Sequence, residues 1–253
     1  MKIKQKSLFF YATKQAFVGL LTLCLFISPA HAAISEHNGQ AYLLAATEDR
    51  GMDYIDRMIF FGESTTAHLK ARGVLSGGTA TQQVWQDESG TRTLTSKITS
   101  EPLIYPPTGE YLTVAEACRR TRPEYLVLSF GLNGIWGFVN DPERYVFCYG
   151  KLIDAVREAS PDTAILLQTV YPVRENTVFS TDAVTLNRHI EEINRLLPLV
   201  CAAHENVSIV DTASVLRDTN GALAAEYATE DGIHLTAAAY QSILYYLRTH
   251  AKW

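Results

Sequence analysis

The chain contains a short apolar run that ends in a serine, Ile59-Phe60-Phe61-Gly62-Glu63-Ser64-Thr65-Thr66. Residues 58–61 are apolar throughout, which is typical of a strand covered on both faces of a parallel sheet. Residues 65–71 have helical character, and Gly73 is a typical helix end. A strand followed directly by a helix places the residue between them at the edge of the sheet. Ser64 is therefore a candidate nucleophile.

Apolar runs and amphipathic segments alternate along the rest of the chain. The pattern predicts the following elements: a short helix at 42–46, strands at 125–130, 164–170 and 207–210, and helices at 112–122, 141–160, 183–204 and 235–248. Residues 76–111 are irregular, and alternation bounded by Gly and Pro predicts a small hairpin inserted there. Strands that alternate with helices predict an α/β fold with a central parallel sheet covered on both faces.

The N-terminal residues have the pattern of a secretory signal peptide. Four lysines precede an apolar run at residues 16–27, and Ala30-His31-Ala32 has the small-x-small form of a cleavage site. An uncleaved membrane anchor is the alternative, but the run is shorter than the roughly 20 residues of a spanning helix. We expect residues 1–32 to be removed and residues 33–253 to form one domain. The mature protein would then be exported, with no transmembrane segment.

The charge of the chain argues against polyanionic partners. There are 22 basic and 27 acidic residues, and the first 32 residues carry four lysines and no acidic residue. The remainder is therefore distinctly acidic, and it contains no run rich in lysine or arginine. We expect neither a nucleic-acid partner nor an anionic membrane surface to bind.

The cysteines and histidines of the sequence do not have the spacing that is typical of metal ligands. Cys118, Cys148 and Cys201 lie in predicted amphipathic helices, where buried thiols are expected, although an exported chain would permit one disulfide. No metal and no cofactor are expected. The oligomeric state is left open by the sequence.

Two further blocks bear polar residues at predicted element ends. Leu126-Val127-Leu128-Ser129-Phe130-Gly131-Leu132-Asn133-Gly134 is a strand that ends in a Gly-x-Asn corner. Asp231-Gly232-Ile233-His234-Leu235-Thr236 leads into the last helix. Ligands bind outside the carboxyl ends of the strands in an open parallel sheet, so these blocks and Ser64 are expected at one rim. An Asp three residues before a His can hold one imidazole nitrogen while the other faces a serine.

These blocks resemble those of the SGNH hydrolases, also called the GDSL esterase/lipase superfamily. Members carry Gly-Asp-Ser near the N-terminus, a Gly in a second block, Gly-x-Asn-Asp in a third and Asp-x-x-His near the C-terminus. Glu63 replaces the Asp of the first block in this chain, and Gly134 replaces the Asp of the third. The resemblance spans essentially the whole mature chain. It implies a flavodoxin-like three-layer α/β/α sandwich.

The resemblance implies acyl transfer to serine without a cofactor. Ser64 would be the nucleophile, His234 the general base and Asp231 the residue that orients His234. The oxyanion hole would comprise the Ser64 N–H, the Asn133 side-chain amide and the Gly90 N–H. Gly77 and Gly78 are the alternatives to Gly90.

Aromatic residues near the predicted rim bear on the substrate. Trp136, Phe138 and Tyr171 are candidates to line an acyl pocket or to stack on a sugar ring, and core packing explains them equally well. His68, one helical turn after Ser64, could approach the site, although a position on the helix surface is expected. With no long apolar cap segment in the chain, we expect a small-molecule or carbohydrate ester with a short acyl group, such as an acetylated sugar.

Two other functions are compatible with the same residues. The first is an O-acyltransferase, since a sugar hydroxyl can capture the same acyl-enzyme in place of water. The second is a non-catalytic carbohydrate-binding or envelope-binding domain on a decayed esterase fold. The departures at Glu63 and Gly134 are the sequence support for the second.

Overall fold

Strands of the expected parallel sheet form the centre of the protein in a computed structural model, which describes residues 41–175 and 178–252. In chain order the strands are β1 (Met58–Gly62), β2 (Val84–Trp85), β3 (Leu103–Tyr105), β4 (Glu110–Leu112), β5 (Tyr125–Ser129), β6 (Ala164–Gln168) and β7 (Val207–Val210). The central sheet has the order β2-β1-β5-β6-β7. Every neighbouring pair in it is parallel. The predicted α/β fold is thereby confirmed.

Helices cover both faces of this sheet. They are α1 (Gly51–Ile55), α2 (Ser64–Ala71), α3 (Val114–Thr121), α4 (Ile135–Asn140), α5 (Pro142–Ala159), α6 (Ala183–Asn194), α7 (Leu197–Ala202) and α8 (Ala237–Thr249). One apolar cluster packs α3, α5, α6 and α7 against one face, and a second packs α1, α2 and α8 against the other. Strand β5 shows the alternation directly, because Leu126 and Leu128 belong to the first cluster and Val127 to the second. The predicted three-layer sandwich is confirmed.

The irregular segment contains the expected hairpin, although over fewer residues than its alternation suggests. Strands β3 and β4 pair antiparallel, with Leu103 opposite Leu112. The turn between them contains Pro106 and Gly109. Strand β2 instead joins the edge of the central sheet beside β1, so that Phe60 lies opposite Val84.

The helix predicted at 183–204 is two helices. Helix α6 ends at Asn194 and α7 begins at Leu197, with Pro198 in its first turn. Proline has no backbone N–H, so it fits the first turn of a new helix and interrupts a continuous one.

The lead-in differs from the expected short helix at 42–46. Leu43 forms a parallel bridge with Ile209, and the Leu44 N–H donates to the Ile209 carbonyl at 2.9 Å. Backbone pairing with the exposed edge of β7 replaces the helical hydrogen bonds. The predicted signal peptide at 1–32 lies outside the described residues. Within 41–175 and 178–252, no helix is long and apolar enough to cross a membrane.

Candidate active site

The carboxyl edge of the central sheet brings together three of the predicted residues. Ser64 is the first residue of α2, directly after β1. The loop that carries Asp231 and His234 leads into α8. Ser64 Oγ lies 3.0 Å from His234 Nε2, although the two residues are 170 positions apart in the chain. His234 Nδ1 lies 2.5 Å from Asp231 Oδ2. Both distances are within hydrogen-bond range, so the three side chains form a continuous chain of proton donors and acceptors.

Asp231 is held as a carboxylate by its own loop. Its Oδ1 accepts hydrogen bonds from the Ile233 and His234 backbone N–H groups and from the Thr229 hydroxyl, each at 2.9 Å. Partial burial acts to raise the pKa of Asp231, but the hydrogen bonds from His234, Ile233 and Thr229 outweigh it and hold this pKa below its usual range. A carboxylate in this position stabilises a protonated His234.

The close approach of β1 and β5 requires a glycine before the serine. Gly62 lies opposite Ser129, and a Cβ added to Gly62 would lie 2.4 Å from the Ser129 carbonyl and 2.2 Å from Thr66 Oγ1. The missing side chain lets the strand end fit against both neighbours. Ser64 therefore begins α2 directly beside the end of β5. Its backbone N–H is a first-turn helix donor with no acceptor among the described residues.

Asn133 is fixed at the rim from two sides. Its backbone N–H donates to Glu63 Oε1 at 3.1 Å, and its side-chain Nδ2 donates to the Thr91 carbonyl at 3.1 Å and lies 3.4 Å from the Arg92 carbonyl. Both side-chain contacts are to carbonyls of the inserted segment, so this segment sets the orientation of the Asn133 amide. Gly131 allows this corner because a Cβ there would lie 2.6 Å from Val170 Cγ2.

A buried arginine anchors the loop that contacts Asn133. The Arg92 side chain is only 3% exposed and forms ion pairs with Asp87 at 3.3 Å and with Glu101 at 3.4 Å. It also donates to the Pro102 carbonyl. These contacts tie the inserted segment to itself next to Phe61, over whose ring the guanidinium lies. The carbonyls that orient Asn133 are thereby held in place.

The structure does not direct the Gly90 N–H at the site. This N–H donates to Asp87 Oδ1 at 2.9 Å and to the Asp87 carbonyl at 3.3 Å, which closes a turn. The turn itself lies against α2, since a Cβ on Gly90 would be 3.5 Å from Ala67 Cβ. The alternatives Gly77 and Gly78 precede β2 and so lie towards the opposite edge of the sheet. The Gly90 N–H is therefore engaged within its own turn and is not directed at a ligand near Ser64.

Two of the three aromatic candidates are buried in the core, which is the alternative that the sequence left open for them. Phe138 is 2% exposed and packs edge-on against Tyr145. Tyr171 is 7% exposed and belongs to the cluster under α8. Trp136 is 38% exposed and packs edge-on against His189. Trp136 is therefore the one candidate of the three with an accessible face.

His68 is closer to the site than its expected place on a helix surface. Its ring lies 4.5 Å from the His234 ring, centroid to centroid, and its Nδ1 is buried without a hydrogen-bond partner among the described residues. Burial, followed by the nearby His234 and Arg72, lowers the pKa of His68. The signal in the sequence was its spacing of four residues from Ser64, which puts both on one helix face.

Potential metal ligands do not cluster within the part of the chain that the structure describes. Cys118, Cys148 and Cys201 are free and buried. Burial raises the pKa of Cys118 and of Cys201 to about 12, so neither is a reactive thiolate at neutral pH.

Comparisons with known proteins agree with this geometry. A family model described as the GDSL-like Lipase/Acylhydrolase family matches residues 60–242. No curated protein matches the chain. Among solved structures, a Streptococcus pneumonia protein provisionally described as a platelet activating factor is 21% identical, with 86% of this chain and 90% of that chain covered and a TM-score of 0.52. This likeness supports the fold.

Two further structures are less similar. A carbohydrate esterase family 3 protein from Talaromyces cellulolyticus is 14% identical, with 76% of this chain and 93% of that chain covered and a TM-score of 0.49. A Desulfitobacterium hafniense DCB-2 protein, provisionally described as a lipolytic protein of the G-D-S-L family, is 14% identical, with 77% and 98% covered and a TM-score of 0.49.

Proposed function

Because the chain belongs to the GDSL-like lipase/acylhydrolase family and is thus an ester-hydrolysing enzyme, we propose that it cleaves its substrate through an acyl-serine intermediate on Ser64. The observation that carries this proposal is the continuous contact from Ser64 through His234 to Asp231. A binding domain has no need of this arrangement.

The first half-reaction transfers the acyl group to the enzyme. Ser64 Oγ attacks the ester carbonyl while His234 Nε2 takes the hydroxyl proton. The carbonyl oxygen becomes an oxyanion, which the Ser64 N–H and the Asn133 side-chain amide stabilise. The intermediate then collapses, the bond to the alkoxy oxygen breaks, and His234 returns the proton to the leaving alcohol.

The second half-reaction regenerates the enzyme. Water adds to the acyl-serine carbonyl as His234 takes one of its protons. The carboxylic acid then leaves as His234 returns a proton to Ser64 Oγ. Asp231, held ionised by its loop, stabilises the imidazolium in both halves.

The substrate that we propose is a short acyl ester of a hydroxylated molecule, such as an acetylated carbohydrate. The accessible face of Trp136 lies three residues beyond Asn133, where a sugar ring would stack on it. We also propose export, which rests on the sequence pattern of residues 1–32.

Hydrolysis of p-nitrophenyl acetate, butyrate and octanoate tests this function. We expect the wild type to prefer acetate. Ser64→Ala and His234→Ala should abolish turnover, and Asn133→Ala should lower kcat about 100- to 1,000-fold, the usual cost of one oxyanion donor. Ser100→Ala is the matched control, because Ser100 is exposed and its hydroxyl bonds only to the Lys97 carbonyl.

A fluorophosphonate probe gives a second readout that does not depend on the substrate. It should label the wild type on the peptide that contains Ser64, and it should not label Ser64→Ala. A folded wild-type protein that neither reacts with the probe nor hydrolyses any of the three esters would contradict the proposed function.

A further inference from the structure

The carboxyl group of Glu63 lies buried between the serine and the Asn133 corner. Glu63 is 4% exposed and occupies the position between β1 and α2. Its Oε1 accepts hydrogen bonds from the Gly131 N–H at 2.7 Å and from the Asn133 N–H at 3.1 Å. A single oxygen of Glu63 thus connects the end of β1, which precedes Ser64, to the corner that carries the Asn133 side chain.

These bonds act on the backbone of Asn133, whereas the Thr91 carbonyl acts on its side chain. The two contacts come from different parts of the fold, namely the end of β1 and the inserted segment. Without the Glu63 carboxyl group, the corner at residues 131–133 would lose the hydrogen bonds that tie it to the end of β1. A displacement of about 1 Å in a positioned group is enough to cost much of its catalytic effect.

Among the residues that the structure describes, no lysine or arginine contacts the Glu63 carboxyl group or lines the cavity beside it. Glu63 lines a cavity of about 10 Å³ together with Thr65, Tyr171 and Ile233. Tyr145 and Tyr149 of α5 lie close to Glu63, and the hydroxyl groups of both tyrosines donate to the Phe130 carbonyl. Burial raises the pKa of each of these three tyrosines above its ordinary value, so they stay neutral at moderately alkaline pH. The remaining titratable groups, Asp231 and His234, lie on the loop that contributes Ile233.

We propose that Glu63 is a positioning residue that works as a neutral carboxylic acid: it holds the Asn133 corner without placing a negative charge beside the forming oxyanion, and its ionisation lowers turnover. The proposal rests on the proposed function. It also explains how a carboxyl group can serve at this position. The carbonyl oxygen of a protonated Glu63 accepts the N–H groups of Gly131 and Asn133, and the side chain carries no negative charge.

The ionisation behaviour of Glu63 fits this role. Burial raises the pKa of Glu63 to about 8, against the opposing effect of the N–H groups of Gly131, Asn133 and Leu132. The residue is therefore mostly protonated at neutral pH and ionises just above it. Its negative charge would then repel the oxyanion through a poorly screened interior, where electrostatic effects are strong.

Profiles of kcat and KM against pH, from pH 5.5 to 9.5, test the proposal with p-nitrophenyl acetate. The wild type should lose about tenfold in kcat as the pH passes 8. Glu63→Gln keeps the accepting oxygen and cannot ionise, so it should hold kcat within severalfold of wild type at pH 7 and lose the alkaline decline. Glu63→Ala should lower kcat about 100-fold at every pH, with KM nearly unchanged.

Glu158→Gln is the matched control, because Glu158 is exposed near the far end of α5. It should reproduce the wild-type profile. A Glu63→Gln profile with the wild-type alkaline decline, or a folded Glu63→Ala protein with wild-type kcat, would overturn the proposal.

Amide NMR supplies a readout that does not need turnover. The N–H resonances of Gly131 and Asn133 should follow one titration near pH 8 in the wild type and none in Glu63→Gln. Resonances that do not respond to pH in the wild type would also overturn the proposal. A wild type without esterase activity but with this titration would instead contradict the proposed function alone.

Discussion

His68 shows at the scale of a single residue how the catalytic imidazole is supported. The imidazole of His234 has hydrogen bonds at both nitrogens, and the ring of His68 covers one of its faces. Hydrogen bonds alone leave a ring free to tilt about the line that joins its partners. The packed face of His68 restricts that motion.

Two substitutions of His68 distinguish the effect of its aromatic ring from the effect of its protonation. His68→Phe keeps an aromatic face and should hold kcat within about threefold of wild type, whereas His68→Ala should lower kcat about tenfold because a misplaced base loses part of its effect. Ester hydrolysis by the two variants at pH 7.5 measures this difference. His250→Ala serves as the control, since His250 stacks on Tyr246 at the far end of α8 and not on His234. Equal kcat values in the alanine and phenylalanine variants would contradict a packing role.

The end of β1 is the element on which the site depends most closely. Gly62 pairs with Ser129 of β5, and the next two residues supply the buried carboxyl and the nucleophile. No space remains for a side chain at Gly62, since the nearest neighbours of an added Cβ include the backbone of β5.

Alanine at Gly62 should therefore damage both stability and activity. We expect Gly62→Ala to lower the free energy of unfolding by about 1–3 kcal/mol, as overpacking of a core does, and to reduce kcat because Ser64 must shift. Gly150→Ala is the matched control within α5. An added Cβ there lies 3.5 Å from the His204 ring, an ordinary contact, so this variant should be neutral or stabilised by about 0.5–1 kcal/mol. Urea unfolding of both variants measures the contrast, and equal effects would contradict the steric argument.

At the scale of the whole molecule, the buried site costs stability as the pH rises. The pKa of Glu63 is about 8 in the folded protein against 4.5 as its ordinary value. Since the folded state binds this proton more tightly, the stabilisation is complete below pH 4.5 and is lost as the pH rises through 8. Asp231 has the opposite effect on the pH dependence of stability. Its pKa is lowered in the folded protein, so the stabilisation that it contributes is lost as the pH falls below 3.8.

Wild type and Glu63→Gln should therefore diverge in stability with pH. We expect the free energy of unfolding of the wild type to fall relative to that of the variant by a few kcal/mol between pH 5 and pH 9. Urea unfolding at pH 5, 7 and 9 measures the difference. A difference that stays constant over this range would show that Glu63 does not hold its proton in the folded state.

Much of the architecture was predictable from the sequence because strands and helices have local signatures. The apolar runs that became β1, β5, β6 and β7 and the amphipathic segments that became α5 and α8 follow from periodicity alone. Element ends were less predictable. Leu112 pairs in β4 rather than starting a helix, and the helix after Asp182 breaks near Pro198. The first difference arises because Leu103 of β3 pairs with Leu112, and the second because Pro198 has no backbone N–H to continue the helix.

The sequence by itself determined the order of the elements, the parallel sheet and the residues that meet at its carboxyl edge, because a βα unit delivers the residue after a strand to that edge whatever the side-chain packing. Only the tertiary structure decided what each side chain contacts there. The Gly90 N–H closes its own turn, Phe138 and Tyr171 are buried, Glu63 bonds to the Asn133 corner, and His68 packs on His234. These contacts join residues up to 170 positions apart, and their distances are set by how layers pack rather than by any local pattern.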